Sequence, residues 1–111
     1  MNSFLKRLLG LIVYTKNIKS GQAHLKELAG ACGATKEAVR IGLRLLEAMG
    51  KIRFEEKDEY VIFSDMKATP RPEMIGMFRA ELNKSLEECQ AYRKYFRSGD
   101  LKNYLSLNIT V

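Results

Sequence analysis

Gly33 and Gly50 each close an apolar run of helical period, and beyond Gly50 the period falls from 3.6 to 2. Glycine enters the left-handed conformation without a steric cost, so each of these residues is placed to stop a helix. Before Gly33, the residues Leu25, Leu28, Ala29 and Cys32 share one side of a short helix, with His24 in its cap region. After it, Thr35 offers an N-cap hydroxyl to a helix over 36–49, whose inward stripe is Val39, Leu43, Leu46 and Met49. Past Gly50, Lys51-Ile52-Arg53-Phe54-Glu55 alternates polar and apolar, and Tyr60-Val61-Ile62-Phe63 is a second short β-rich run. Two such runs around the polar connector Glu56–Glu59 predict a β-hairpin.

The flanks complete an α+β chain that is mainly α. Phe4, Leu5, Leu8, Leu9 and Ile12 recur at helical spacing and predict a first helix over 3–16, followed by a loop over 17–22. Residues 64–72 read as a connector punctuated by Pro70 and Pro72. Pro72 suits a helix's first turn, and Glu73 suits its positive end. The helix that follows is expected over 73–97, with Ile75, Phe78, Leu82, Leu86, Cys89 and Phe96 on its apolar side, packed on the N-terminal helix. Ser98-Gly99-Asp100 breaks it, and a short last helix would hold Leu101, Tyr104 and Leu105. A core domain over 1–66 and a helical extension over 67–111 packed on it form the expected organisation.

Helix, short helix, Gly-containing turn, helix and hairpin is the order of a winged helix-turn-helix. Leu25-Lys26-Glu27-Leu28-Ala29, Gly33-Ala34-Thr35, Val39, Leu43, Leu46-Glu47 and Gly50-Lys51-Ile52 resemble that family's generic pattern over 23–63. Small Ala29 suits a close helix crossing, and Gly33 permits a turn of about three residues. The resemblance implies that the third helix is seated by its apolar stripe and that its opposite face is free for a major groove.

That free face carries Lys36, Arg40 and Arg44 at i, i+4 and i+8, just after Thr35. Such a stripe suits phosphates, and an arginine there can reach guanine O6 and N7. Equally, it suits a solvated helix face on which Arg40 or Arg44 pairs with Glu37 or Glu47. The chain's 19 basic and 13 acidic residues leave a net charge of +6, which favours an anionic partner. Residues 1–20 hold Lys6, Arg7, Lys16 and Lys19 and no acid. The nucleic-acid candidates are therefore Thr35, Lys36, Arg40, Arg44, Lys16 and Lys19. Further on, Arg93, Lys94 and Arg97 interleave with Tyr92, Tyr95 and Phe96, a mixture that stacks single-stranded bases or simply ends a helix on core aromatics. The hairpin tip argues the other way: Glu55, Glu56, Asp58 and Glu59 around Lys57 would repel a polyanion.

Other classes are excluded on residue type. One histidine and two cysteines 57 positions apart make no zinc spacing, so no metal or other cofactor is expected. Cys32 and Cys89 are expected to be reduced and buried. Neither a nucleophile elbow, a P-loop nor a His-Glu-x-x-His helix occurs, and adjacent Glu87 and Glu88 point about 100° apart on a helix. An enzymatic activity is therefore not expected of this chain, and no catalytic residue is assigned. Lys6-Arg7 before the apolar run 8–14 superficially resembles a signal peptide, but seven residues are too few to span a bilayer. A cytoplasmic location and no membrane partner are expected.

Over residues 4–105 the arrangement also resembles the C-terminal region of the bacterial single-strand-DNA-specific exonucleases of the RecJ family. The matching stretches are 25–52, the connector around Pro70-Arg71-Pro72, Glu81-Leu82-Asn83 through Tyr92-Arg93, and Ser98-Gly99-Asp100-Leu101. This resemblance implies an accessory module in DNA repair or recombination that positions single-stranded DNA or docks an acidic protein tail; the partner expected of the chain is DNA, single- or double-stranded. The Asp/His metal motifs of that family's catalytic domain are absent from these 111 residues, so no catalytic residue carries over. The alternative expectation is a homodimeric winged-helix regulator, or a docking module that does not itself bind DNA.

Overall fold

A computed structural model describes the backbone of residues 2–18 and 21–97 and the side chains of 3–18 and 21–89. Among these residues the fold is a mainly helical α+β arrangement. In chain order the elements are α1 (Asn2–Ile18), β1 (Gln22–His24), α2 (Leu25–Cys32), α3 (Lys36–Ala48), β2 (Phe54–Lys57), β3 (Tyr60–Phe63) and α4 (Pro72–Arg97). The strands form one antiparallel sheet in the order β1-β3-β2. The expected short helix at Leu101–Leu105 and the side chain of Phe96 lie outside the described residues.

The two glycine stops act as their positions suggest. Gly33 takes φ 63°. Its N–H donates to the Gly30 carbonyl, and the Ala34 N–H donates to the Ala29 carbonyl. Gly50 takes φ 75°. Its N–H donates to the Glu47 carbonyl, and the Lys51 N–H donates to that of Leu46. Both pairs are the two bonds of a Schellman motif, which satisfies carbonyls that a helix end would leave open. At the start of α2 the His24 Nδ1 accepts from the Lys26 N–H at 3.1 Å. The Thr35 hydroxyl likewise caps α3, accepting from the Ala38 N–H at 3.1 Å.

Three expectations are corrected. The residues taken as a loop and helix cap contain a strand: β1 pairs Gln22 with Ile62, Ala23 with Val61 and His24 with Tyr60. A three-residue strand carries too little periodicity to register against a neighbouring helix signal. The hairpin is tighter than the four-residue connector suggests, and its first strand begins at Phe54 rather than Lys51. Glu56 and Lys57 are strand residues paired with Val61 and Tyr60. Only Asp58 and Glu59 turn, both at positive φ, 52° and 67°. Positive φ at both central positions is the two-residue turn that matches strand twist. Finally, α4 lies along α3 rather than principally on α1.

Burial explains that last difference. The stripe Val39, Leu43 and Leu46 seats α3 in a core shared with Leu8 and Ile12 of α1, Leu25 and Leu28 of α2, and Val61 and Phe63 of β3. A second stripe, Ile41, Leu45 and Ala48, forms another core with Phe78 and Leu82 of α4. Phe4 and Leu5 of α1 border both cores. Gly42 lies between them: a Cβ there would come within 2.9 Å of Leu8 and Phe4 side-chain carbons. The missing side chain is what lets α1 lie so near α3.

Cys32 and Cys89 are both free and buried. Burial pushes the Cys32 thiol up, and the nearby Arg7 charge only partly offsets it. A raised pKa keeps the thiol protonated and unreactive. Labelling with a thiol-reactive dye is therefore expected to be slow in the native protein and fast in denaturant. Fast native labelling of both cysteines would show that these helix faces are open.

Candidate nucleic-acid interface

The basic stripe on α3 exists as a face, and the hairpin lies against it. Lys36 Nζ donates to Glu59 Oε1 at 2.8 Å. Arg40 Nε donates to Glu56 Oε1 at 3.0 Å. A weaker approach joins Arg40 to Glu37 at 3.9 Å. The acids of the hairpin thus face the cations of the helix in a short ladder. The expected partners within α3 account only for the Arg40–Glu37 approach. Glu47 is engaged elsewhere: its Oε2 accepts from the Phe54 N–H at 3.3 Å, and its Oε1 lies 3.5 Å from the Arg71 guanidinium.

Charge follows this geometry. The hydrogen bond from Lys36, and next its positive charge, hold the Glu59 carboxyl below the usual carboxylate range. The pair is therefore formed at neutral pH and opens as the pH falls through that lowered value. The hydrogen bond to Glu56 raises the Arg40 pKa in turn. These groups are largely solvated, so the ladder is a matter of orientation more than of stability.

The candidates fall into distinct groups. Thr35 is exposed, and its hydroxyl oxygen accepts from Ala38, with the Cys89 sulfur 3.9 Å away. It caps α3, and one hydroxyl proton remains to donate outward. Lys36 and Arg40 are half-buried and ion-paired. Arg44 is exposed and has no acidic partner among the described residues. Lys16 is half-buried in the last turn of α1, where a cation faces the helix's negative end. It stands beyond the Phe4–Leu8 turns that meet α3, so it is not part of the α3 face. Lys19 lies outside the described residues, as do the side chains of Tyr92, Arg93, Lys94, Tyr95 and Arg97.

Sequence reading missed a second basic region. Arg53, Lys67 and Arg71 line a polar cleft between the lead-in to β2 and the connector before α4. They come from two separate stretches, the lead-in to β2 and the connector, so no periodicity in the chain announces them. Among the described residues no group of three His, Cys, Asp or Glu side chains is placed to hold a metal ion. No described helix is long and apolar enough to cross a membrane. No protein family, curated protein or solved structure matches the chain.

Proposed function

We propose that the chain is a winged helix-turn-helix module that binds nucleic acid chiefly through backbone phosphates, and that it serves as an accessory domain in DNA repair or recombination. The element order supports the winged-helix reading: α1, β1, α2, α3 and then a β2–β3 hairpin, with β3 central in the sheet. The observation that carries the binding reading is the seating of α3. Leu43 is fully buried, while the next residue, Arg44, stands exposed without an acidic partner among the described residues. Anchoring on one side gives the exposed cation a fixed helix to stand on, which is the placement that phosphate contact needs. The net charge of +6 supplies the long-range attraction.

The hairpin acids modulate this surface. Glu56 and Glu59 are partnered with Arg40 and Lys36, so a phosphate must displace them to reach those cations. In a fluorescence-anisotropy titration at several salt concentrations, Glu56→Gln/Glu59→Gln is expected to tighten binding to an oligonucleotide by freeing two cations. Arg44→Ala is expected to weaken it and to lower the salt slope of log K by about one. Both changes are expected on all sequences alike, because phosphate contacts carry no base code.

The same ion-pair ladder favours a second reading, a protein-docking module or dimeric regulator. A face whose charges are already paired suits a polar interface rim better than a polyanion. Absence of oligonucleotide binding by the parent protein at low salt would replace the first reading with this one.

A further inference from the structure

We propose that the cleft between β2 and the connector is a phosphate-binding site that takes a phosphodiester of the nucleic-acid backbone; this rests on the nucleic-acid reading above and adds a second contact to that of Arg44. The cleft has a volume of about 560 Å³, and Arg53, Lys67, Thr69 and Arg71 are among its lining. Two acids, Glu47 and Glu55, also line it. Glu47 is spent: one carboxylate oxygen accepts from the Phe54 N–H at 3.3 Å and the other lies 3.5 Å from Arg71. Arg53 and Lys67 are exposed and have no acidic partner among the described residues. This contrasts with Lys36 and Arg40, which the hairpin acids already hold.

The backbone that carries these cations is tied down from behind. The Ser64 N–H donates to the Arg53 carbonyl at 2.9 Å, the Ala68 N–H to that of Ile52 at 3.4 Å, and the Arg71 N–H to that of Ala48 at 2.8 Å. The connector is thus tied to the end of α3 and to the lead-in of β2 at three points. Arg53, Lys67 and Arg71, the last paired with Glu47, line one opening on a prearranged backbone. Guanidinium forks match phosphate oxygens in pairs, and the lysine adds a point charge. Glu55 is the opposing charge, and it sets the site's affinity low enough for salt to control.

Two-dimensional amide NMR of the full chain, at constant ionic strength, tests the site with inorganic phosphate and with a short oligothymidylate. Both are expected to shift the amides of Arg53, of 67–69 and of Arg71. Arg53→Ala/Lys67→Ala is expected to remove those shifts and to lower the salt slope of oligonucleotide binding by about one to two. Glu55→Gln is expected to tighten binding severalfold. The exposed positions of all three residues leave the thermal midpoint of these variants near that of the parent. If the parent binds oligonucleotide and the double variant binds it with an unchanged slope, the cleft is not the phosphate site, and the nucleic-acid reading stands without it. If the parent binds no oligonucleotide at low salt, that reading falls, and the cleft is then judged on inorganic phosphate. Phosphate shifts abolished in the double variant keep it as an anion site. Shifts absent from the parent, or unchanged in the variant, overturn it. Stronger shifts with a poly-glutamate peptide than with oligothymidylate overturn the phosphodiester in favour of a carboxylate partner.

Discussion

Leu45→Ala is expected to destabilise the protein by about 3–4 kcal/mol, as much as Leu43→Ala, because the two leucines anchor opposite cores on one helix. Both are at zero exposure. Leu43 belongs with Leu8, Leu25 and Val61. Leu45 belongs with Phe78 and Leu82 of α4. Removing three carbons from either position loses their transfer energy and leaves a cavity that surrounding helices only partly close. Urea denaturation followed by circular dichroism measures this directly, with the m-value as a check that the transition remains cooperative. A cost below about 1 kcal/mol for Leu45→Ala would mean that α4 contributes little to the stability of the α3 region. In that case the helix would be an appendage and not part of the fold's support.

The sequence made the first of these cores readable and left the second hidden, for a reason of chemistry. Val39, Leu43 and Leu46 lie on a single stripe, and one stripe is what an amphipathic helix displays. Ile41, Leu45 and Ala48 form a second stripe offset around the same helix. Read alone, they widen the apolar face rather than announce another partner. The apolar side of α4 was equally visible, with Phe78, Leu82 and Cys89 buried as its spacing suggests. What spacing does not encode is which neighbour an apolar side meets. The caps were legible because their chemistry is local: Gly33 and Gly50 at left-handed turns and Thr35 bonded three residues ahead.

The candidate site divides along the same line. A helical i, i+4, i+8 pattern places Lys36, Arg40 and Arg44 on one face without any tertiary information. Their partners come from much further away, with sequence separations of 23 for Lys36–Glu59 and 16 for Arg40–Glu56. The hairpin with its two-residue turn bridges those separations, placing Glu56 and Glu59 within reach of Arg40 and Lys36. A four-residue connector would leave Glu56 in a loop, whereas the tighter turn fixes it in β2 opposite Val61. The acids at the tip therefore meet the helix cations, and their meaning as isolated repulsive charges changes. Arg53, Lys67 and Arg71 converge only because a proline-containing connector folds back over the end of α3.

That fold-back depends on Gly50, and Gly50→Val is expected to cost about 3 kcal/mol from two separate sources. The first is backbone strain, since Gly50 sits at φ 75° and a β-branched residue is disfavoured there. The second is space: a Cβ at this position would come 2.7 Å from the Pro70 ring and 3.4 Å from the Ala68 carbonyl oxygen. A proline ring is part of its own backbone and cannot rotate aside as a flexible side chain does. The connector must lift, and with it Lys67 and Arg71. Gly30→Ala is the contrasting control, because its Cβ meets nothing within 4 Å and the position is helical. Alanine there is expected to stabilise by up to about 1 kcal/mol through helix propensity. Denaturation of both variants separates strain from a general intolerance of side chains. At a temperature where Gly50→Val is still folded, the phosphate-induced amide shifts around Arg53 are expected to vanish, because the three cations no longer converge. A Gly50→Val protein as stable as the parent, to within about 0.5 kcal/mol, would show that the connector does not rest on this glycine. The geometry of the cleft would then have to be maintained by its three backbone hydrogen bonds alone.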